Sequence, residues 1–272
     1  MTTTTPLIPQ MSFICMGLTA IICIAIPLIL LFSFKNRFHA RIQSFFMGAI
    51  TYIIFAFVLE SFAHESFLSG TTAFSQQILN NPVVNALYLG LAAGIFEEAG
   101  RFFCLTVIMK NARKEDAFIY GIGHGGIEAF TVGAWTMVQN IIISMALNQY
   151  GSIETYSAQA TTAEEGASIA KYLTTLVNTP SANYLLVSVE RVCVLILQIS
   201  LSILMYKAIT RKKYLFIPLS VLLHALMIFI MNLSQSGVIA STALAEVIVI
   251  VLAVGTTLFA YRQYQSLKYD DY

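Results

Sequence analysis

Charge is scarce in this sequence. Asp, Glu, Lys and Arg make up 11% of its 272 residues, while 57% are hydrophobic. A soluble domain carries roughly 25% charged residues, so an ordinary soluble fold is excluded and an integral membrane protein is expected. The formal net charge is only +1, which gives no electrostatic reason to expect a nucleic-acid or strongly acidic partner. Cysteine is sparse too. Cys15, Cys23, Cys104 and Cys193 all fall inside apolar runs, with no CxxC or zinc-ribbon spacing. They read as small buried hydrophobes rather than disulfides or ligands. No Lys or Arg precedes the first apolar run, so the basic n-region of a secretory signal is missing and that run is expected to remain as a membrane helix. Aspartate occurs only at Asp116, Asp270 and Asp271, outside the apolar runs. The absence of a YD/GxGD pair, a serine-hydrolase elbow and HExxH argues against the aspartyl, serine and zincin designs of intramembrane protease.

What is abundant is apolar runs of about 20 residues, the length that crosses a ~30 Å hydrocarbon core. Seven are found: Met11–Phe34, Ile42–Phe62, Val83–Met109, Ala117–Leu147, Asn183–Tyr206, Tyr214–Leu233 and Val238–Tyr261. Alternate connections are basic. Lys35, Arg37 and Arg41 follow the first run, Lys110, Arg113 and Lys114 the third, Lys207, Arg211, Lys212 and Lys213 the fifth, and Arg262 and Lys268 the seventh. The opposite connections hold only Lys171. The positive-inside rule then places the N-terminus outside and the C-terminus in the cytoplasm. The expected architecture is a single all-α membrane domain, residues 1–272, of about seven helices. Its polar outer segment, residues 148–182, contains an amphipathic helix over Ala158–Val177. There is no internal repeat, low-complexity tract or soluble domain.

The informative residues are the ionisable ones inside these runs, since a charge at mid-bilayer costs ~2.5–3.5 kcal/mol or more. Arg101 lies four residues after Glu97 and three after Glu98, sharing a helix face with both. At ~1.5 Å per residue, Glu97 and Glu98 lie about 17 Å from the cytoplasmic edge, His124 about 10 Å, Glu128 about 17 Å and His224 about 15 Å. Three separate runs therefore place polar groups in one slab. Four glycines flank His124 in Gly121-Ile122-Gly123-His124-Gly125-Gly126-Ile127-Glu128. They let helices approach closely and let water or substrate backbone reach the imidazole. The bland alternative is a packing face with one satisfied histidine. His224 by itself reads as a structural hydrogen-bonder and gains weight only from the shared depth. Glu190, Arg191 and Glu246 come out nearer the outer face, where Arg191 and Glu246 are expected to clasp two helices. Glu60, at the outer end of its run, reads as interfacial.

Carboxylates, imidazoles and a cation at one depth suit activation of water at a carbonyl. A buried glutamate beside a like-charged neighbour can act as general base. Arg101 would hold one of the pair ionised, and a histidine would donate to the developing oxyanion. The candidate catalytic residues are Glu97, Glu98, Arg101, His124, Glu128 and His224.

Glu97-Glu98-x-x-Arg101 resembles the double-glutamate motif of the Rce1-like CAAX-protease and bacteriocin-processing family. The fuller set, FEE-x-x-R, GxGHGGIE and a late helix histidine, looks like the YhfC family of glutamic-type intramembrane proteases. That resemblance implies that Glu97 activates water, with Glu98 and Arg101 in support and His124 and His224 as the site's two histidines. The broader CAAX-protease pattern spaces its motif one residue longer. It also has Phe where Tyr120 stands and Asn or Asp where Ile228 stands. Glu128 has no counterpart there and is assigned to orienting His124.

The expected function is hydrolysis of a peptide bond in a membrane-protein or lipidated peptide substrate, in a bacterial cell membrane, without nucleic acid. No cofactor is required, and water is expected to reach the site from the cytoplasmic side. In a zinc-dependent version, Glu97 or Glu98 would bind the ion with His124 and His224, leaving water in the fourth position. A proton-coupled transporter using the same groups and a non-catalytic scaffold are the other readings. Oligomeric state is not legible.

Overall fold

The computed structural model describes residues 6–269, and every regular element among them is helical. In chain order they are α1 (Gln10–Phe38), α2 (Ile42–Tyr52), α3 (Ser61–Phe67), α4 (Ala73–Asn80), α5 (Pro82–Phe103) and α6 (Lys114–Glu128). There follow α7 (Thr136–Tyr150), α8 (Ile153–Ser157), α9 (Ala163–Asn178), α10 (Ser181–Thr210), α11 (Phe216–Gln235) and α12 (Thr242–Tyr269). π-Helical segments at Ile53–Glu60, Cys104–Ile108 and Ala129–Trp135 continue α2, α5 and α6.

Six of the described helical stretches are long and apolar enough to cross a membrane: Gln10–Phe38, Ile42–Phe67, Lys114–Tyr150, Ser181–Thr210, Phe216–Gln235 and Thr242–Leu267. This fits a multi-pass integral membrane protein. The remaining expected run lies on α5, 22 residues long. It is not among the six because Glu97, Glu98 and Arg101 interrupt its apolar character. Asn81 caps α5 by accepting from the Val83 and Val84 amides at 3.0 and 3.2 Å, and Pro82 follows with its φ already set for a helix.

The chain divides into two compact units, Met1–Ala25 with Phe130–Arg191, and Ile26–Ala129 with Val192–Tyr272. In the first, the polar segment folds as α8 and α9. The amphipathic helix starts later than expected because Thr162 caps it, accepting from the Glu165 amide at 3.1 Å. Hydrogen bonds from Thr161 hold the Glu165 carboxyl below its usual range. Leu173 and Leu176 form the buried face of α9.

In the second unit α2 packs along α6 and α5 along α11. Glycines set both crossings. A Cβ on Gly123 would lie 1.9 Å from the Phe45 carbonyl oxygen, and one on Gly94 2.7 Å from that of Val221. Such backbone contact is available only without side chains and is the usual means of tight helix association in lipid. α10 is the most enclosed span, with 78% of its apolar window buried against 28–39% for the other five. Asp116, fully buried at the start of α6, accepts from the Arg41 amide at 2.9 Å, the Arg41 guanidinium at 2.7 and 3.0 Å, and the Arg113 amide at 3.0 Å. It ties the α1–α2 turn to α6.

Candidate active site

Four helices of the second unit carry the site: α5, α6, α10 and α11. All six side chains singled out in the sequence come together there, and none is more than 4% exposed. His124 Nε2 is 2.8 Å from Glu97 Oε2. His224 Nδ1 is 3.2 Å from Glu98 Oε1, and its Nε2 is 3.7 Å from Glu97 Oε1. Arg101 donates to Glu98 through one guanidinium nitrogen and to the Gln198 carbonyl through another. The Gln198 amide nitrogen in turn donates to Glu97 Oε2 at 2.9 Å and Glu128 Oε2 at 2.7 Å, and lies 3.4 Å from His224 Nε2.

These contacts fix orientation. Because the Gln198 oxygen accepts from Arg101, its NH2 must face the carboxylates. With Glu97 accepting, His124 carries its proton on Nε2. With Glu98 accepting, His224 donates from Nδ1, and its Nε2 lies between the Gln198 amide and Glu97 Oε1. The His124 ring is held by Tyr52 and Tyr120, at centroid distances of 5.5 and 6.0 Å. The two glutamates are thus differentiated. Glu98 is engaged by the guanidinium, whereas Glu97 faces an imidazole and an amide.

Gln198 escaped the sequence reading, which weighed only ionisable groups. The signal was an uncharged amide in the apolar run Val192–Ile203, with no solvent-facing reason to be there. The side-chain amide of the cluster comes from α10. The glycines around His124 serve packing directly. Gly121 lies against Ile199 and Gly123 against Phe45, so the packing face and the polar cluster are one surface. Glu60 is 8% exposed and lies 3.2 Å from His64 Nε2. His64 Nδ1 contacts the Tyr88 hydroxyl at 2.9 Å. Water access at the site side chains themselves is not evident, since all are enclosed.

The sequence matches the YhfC intramembrane metalloprotease family over residues 22–249. The chain belongs to that family. It is also 31% identical over 248 residues to the uncharacterized membrane protein YhfC of Bacillus subtilis (strain 168), an alignment covering 91% of this chain and 94% of that protein. No solved structure matches.

The family's name implies a metal ion. The donor types suit one: two imidazoles and three carboxylates in one buried cluster are the ligands zinc hydrolases use. Three buried polar atoms here, Glu98 Oε2, Arg101 Nε and His124 Nδ1, have no protein hydrogen-bond partner. The Gln198 nitrogen, with two hydrogens, faces three acceptors. Among the described residues no three His, Cys, Asp or Glu side chains close on a single point.

Proposed function

We propose that this chain is an intramembrane endopeptidase in which Glu97 takes the proton from the attacking water. The observation that carries the reading is the unequal engagement of the two glutamates. Glu98 is held by Arg101 and His224 Nδ1, while Glu97 faces His124 and Gln198. A carboxylate neutralised by a guanidinium is a poor base, and a buried one without a guanidinium partner is a better one.

Water loses a proton to Glu97 as its oxygen adds to the scissile carbonyl carbon. The carbonyl oxygen gains charge, and in this reading His124 donates to it. The C–N bond then breaks, and Glu97 returns the proton to the departing amine. Arg101 and Glu98 act through others: they hold Gln198 and His224. Gln198 keeps Glu97 and Glu128 together despite their like charge.

His124, His224 and the carboxylate of Glu97 or Glu128 are the residues that would hold a zinc ion. It would supply Lewis acidity at the carbonyl. The substrate class supported is a peptide bond of a membrane protein or a lipidated peptide, since a site enclosed by membrane helices is reached from the lipid. The likeness to CAAX proteases rests on Glu97-Glu98-x-x-Arg101 and two histidines. The alternation of basic connections supports an external N-terminus and a cytoplasmic C-terminus, which reporter fusions to each end test. For the activity, protein reconstituted in vesicles is offered a set of membrane-spanning peptides. Cleavage is expected from wild type and not from Glu97→Gln, and equal turnover by both overturns the reading.

A further inference from the structure

One helical turn to the side of the glutamate cluster lies a second layer of buried polar groups. On α5 Arg101 follows Glu97 by four residues, and on α10 Ser202 follows Gln198 by four. On α6 Tyr120 precedes His124 by four, and on α11 Ser220 precedes His224 by four. On α2 Thr51 precedes Tyr52, whose ring packs against that of His124. Every one of these steps leads toward the helix end that joins a basic connection, so the groups share a level. Arg101, Tyr120, Ser202 and Ser220 are fully buried, and Thr51 is 5% exposed.

Helix packing does not account for this layer. Thr51 and Ser202 each donate to a carbonyl one turn back, those of Met47 and Gln198, both at 2.7 Å, so a helical hydroxyl can satisfy itself. Ser220 does not. Its oxygen, the Tyr120 oxygen and Arg101 Nε are enclosed without a hydrogen-bond partner among the described residues. Thr51, Cys104 and Arg101 lie around the Tyr120 hydroxyl, yet none meets it at hydrogen-bonding geometry. A Cβ on Gly121 would lie 2.9 Å from Ser202 Oγ, so α10 brings its hydroxyl against this part of α6. Buried polar groups left unpartnered are costly, and ordered water is their usual partner.

The layer lies close to the surface of the bundle. Between α2 and the α5–α6 connection is a cavity of about 440 Å³, lined by Ser44, Met47, Ile108 and the exposed Lys110. Met47 is one turn from Thr51, and Ile108 one turn from Cys104. One turn of helix thus separates this cavity from the buried layer, and one more reaches Glu97.

We propose that this layer holds water and delivers the hydrolytic water to Glu97, with Tyr120 as the residue that positions it. The inference rests on the reading of Glu97 as the base. The chemistry selects water as the occupant. The layer offers hydroxyls, which both donate and accept, and a guanidinium already matched by Glu98. An ion would meet no unmatched charge. The route also supplies a cluster whose own side chains are enclosed.

The test is brief X-ray radiolysis of the full chain in detergent, in water enriched in heavy oxygen. Radicals formed at bound water mark the side chains that hold it. Tyr120 is expected to take up label about tenfold faster than Tyr184, which is also buried but donates to the Leu176 carbonyl at 3.0 Å. Met47→Trp, which narrows the cavity, should slow labelling of Tyr120 severalfold. In the cleavage assay Tyr120→Phe should lower kcat about tenfold, as for one lost hydrogen bond, with KM and melting temperature unchanged. Labelling of Tyr120 no faster than that of Tyr184 overturns the proposal. So does labelling indifferent to Met47→Trp, or a Tyr120→Phe variant that loses stability and keeps its kcat. Turnover by Glu97→Gln would overturn the base reading and with it the water's destination, while label at Tyr120 would still report the layer. An inactive Glu97→Gln beside an unlabelled Tyr120 ends this inference alone.

Discussion

The amide nitrogen of Gln198 lies 2.9 Å from Glu97 Oε2, across 101 residues of sequence. This contact couples the most enclosed span to the motif that marks the site. It also explains how Glu97 and Glu128 share an interior, since a single neutral donor bridges both.

Removing that bridge should be costly. Gln198→Leu takes one hydrogen-bond partner from each of Arg101, Glu97 and Glu128, and a buried hydrogen-bonding group left unpaired costs about 1–3 kcal/mol. Thermal unfolding in detergent is expected at lower temperature than wild type. Gln198→Glu should be worse, because a third carboxylate faces Glu97 and Glu128. Wild-type stability in both variants would remove Gln198 from the network.

Glu97→Gln is expected to lower peptide cleavage by about 10²–10⁴-fold, the usual contribution of a positioned general base, while leaving thermal unfolding close to wild type. Glu98→Gln should lower both activity and stability, because it leaves the fully buried Arg101 without its carboxylate. The pair of measurements separates the base from its support.

The donor set predicts about one zinc per chain in protein purified without chelator. Metal content should fall in His124→Ala and His224→Ala. Chelation should stop cleavage and added zinc restore it. Cleavage that persists through exhaustive chelation would leave Glu97 to act without a metal.

Close helix contact predicts a sharp positional contrast. Gly123→Ala drives a Cβ into the Phe45 carbonyl, which no rotamer relieves, and overpacking of this kind costs about 1–3 kcal/mol or more. Gly17→Ala, with nothing within 4 Å, should be neutral or slightly stabilising, because Ala is the better helix former. Melting curves of the two variants read this directly.

Asp116→Ala removes the acceptor of two backbone amides and an arginine fork. Bonds to a charged acceptor are the stronger kind, about 1.5–3 kcal/mol each. Unfolding at a distinctly lower temperature is expected, with the loss concentrated where the α1–α2 turn meets α6. Hydrogen exchange at the Arg41 and Arg113 amides measures it.

Much of the molecule was legible before any coordinates. Apolar runs of bilayer length located the helices, because lipid leaves the backbone no alternative to internal hydrogen bonding. The cost of an intramembrane charge made Glu97, Glu98, Arg101, His124, Glu128 and His224 conspicuous. Depth along each helix follows from a fixed rise per residue, so their common level could be counted. Gln198 could not be found in this way, since an uncharged amide carries little penalty and leaves no mark on hydropathy. The burial of Glu60 was not legible for a related reason: position along a helix does not say which way a side chain faces.

The amino-acid order alone thus determined that the chain is helical and lives in a membrane, and it singled out six ionisable groups inside its apolar runs. Only the tertiary structure decided which oxygen meets which nitrogen. Arg101 takes Glu98 rather than Glu97, and α10 brings in the amide. The reason is that depth is a one-dimensional quantity fixed by helix geometry. Azimuth and neighbour are set by how glycine-faced helices cross, and that depends on contacts among residues far apart in the chain.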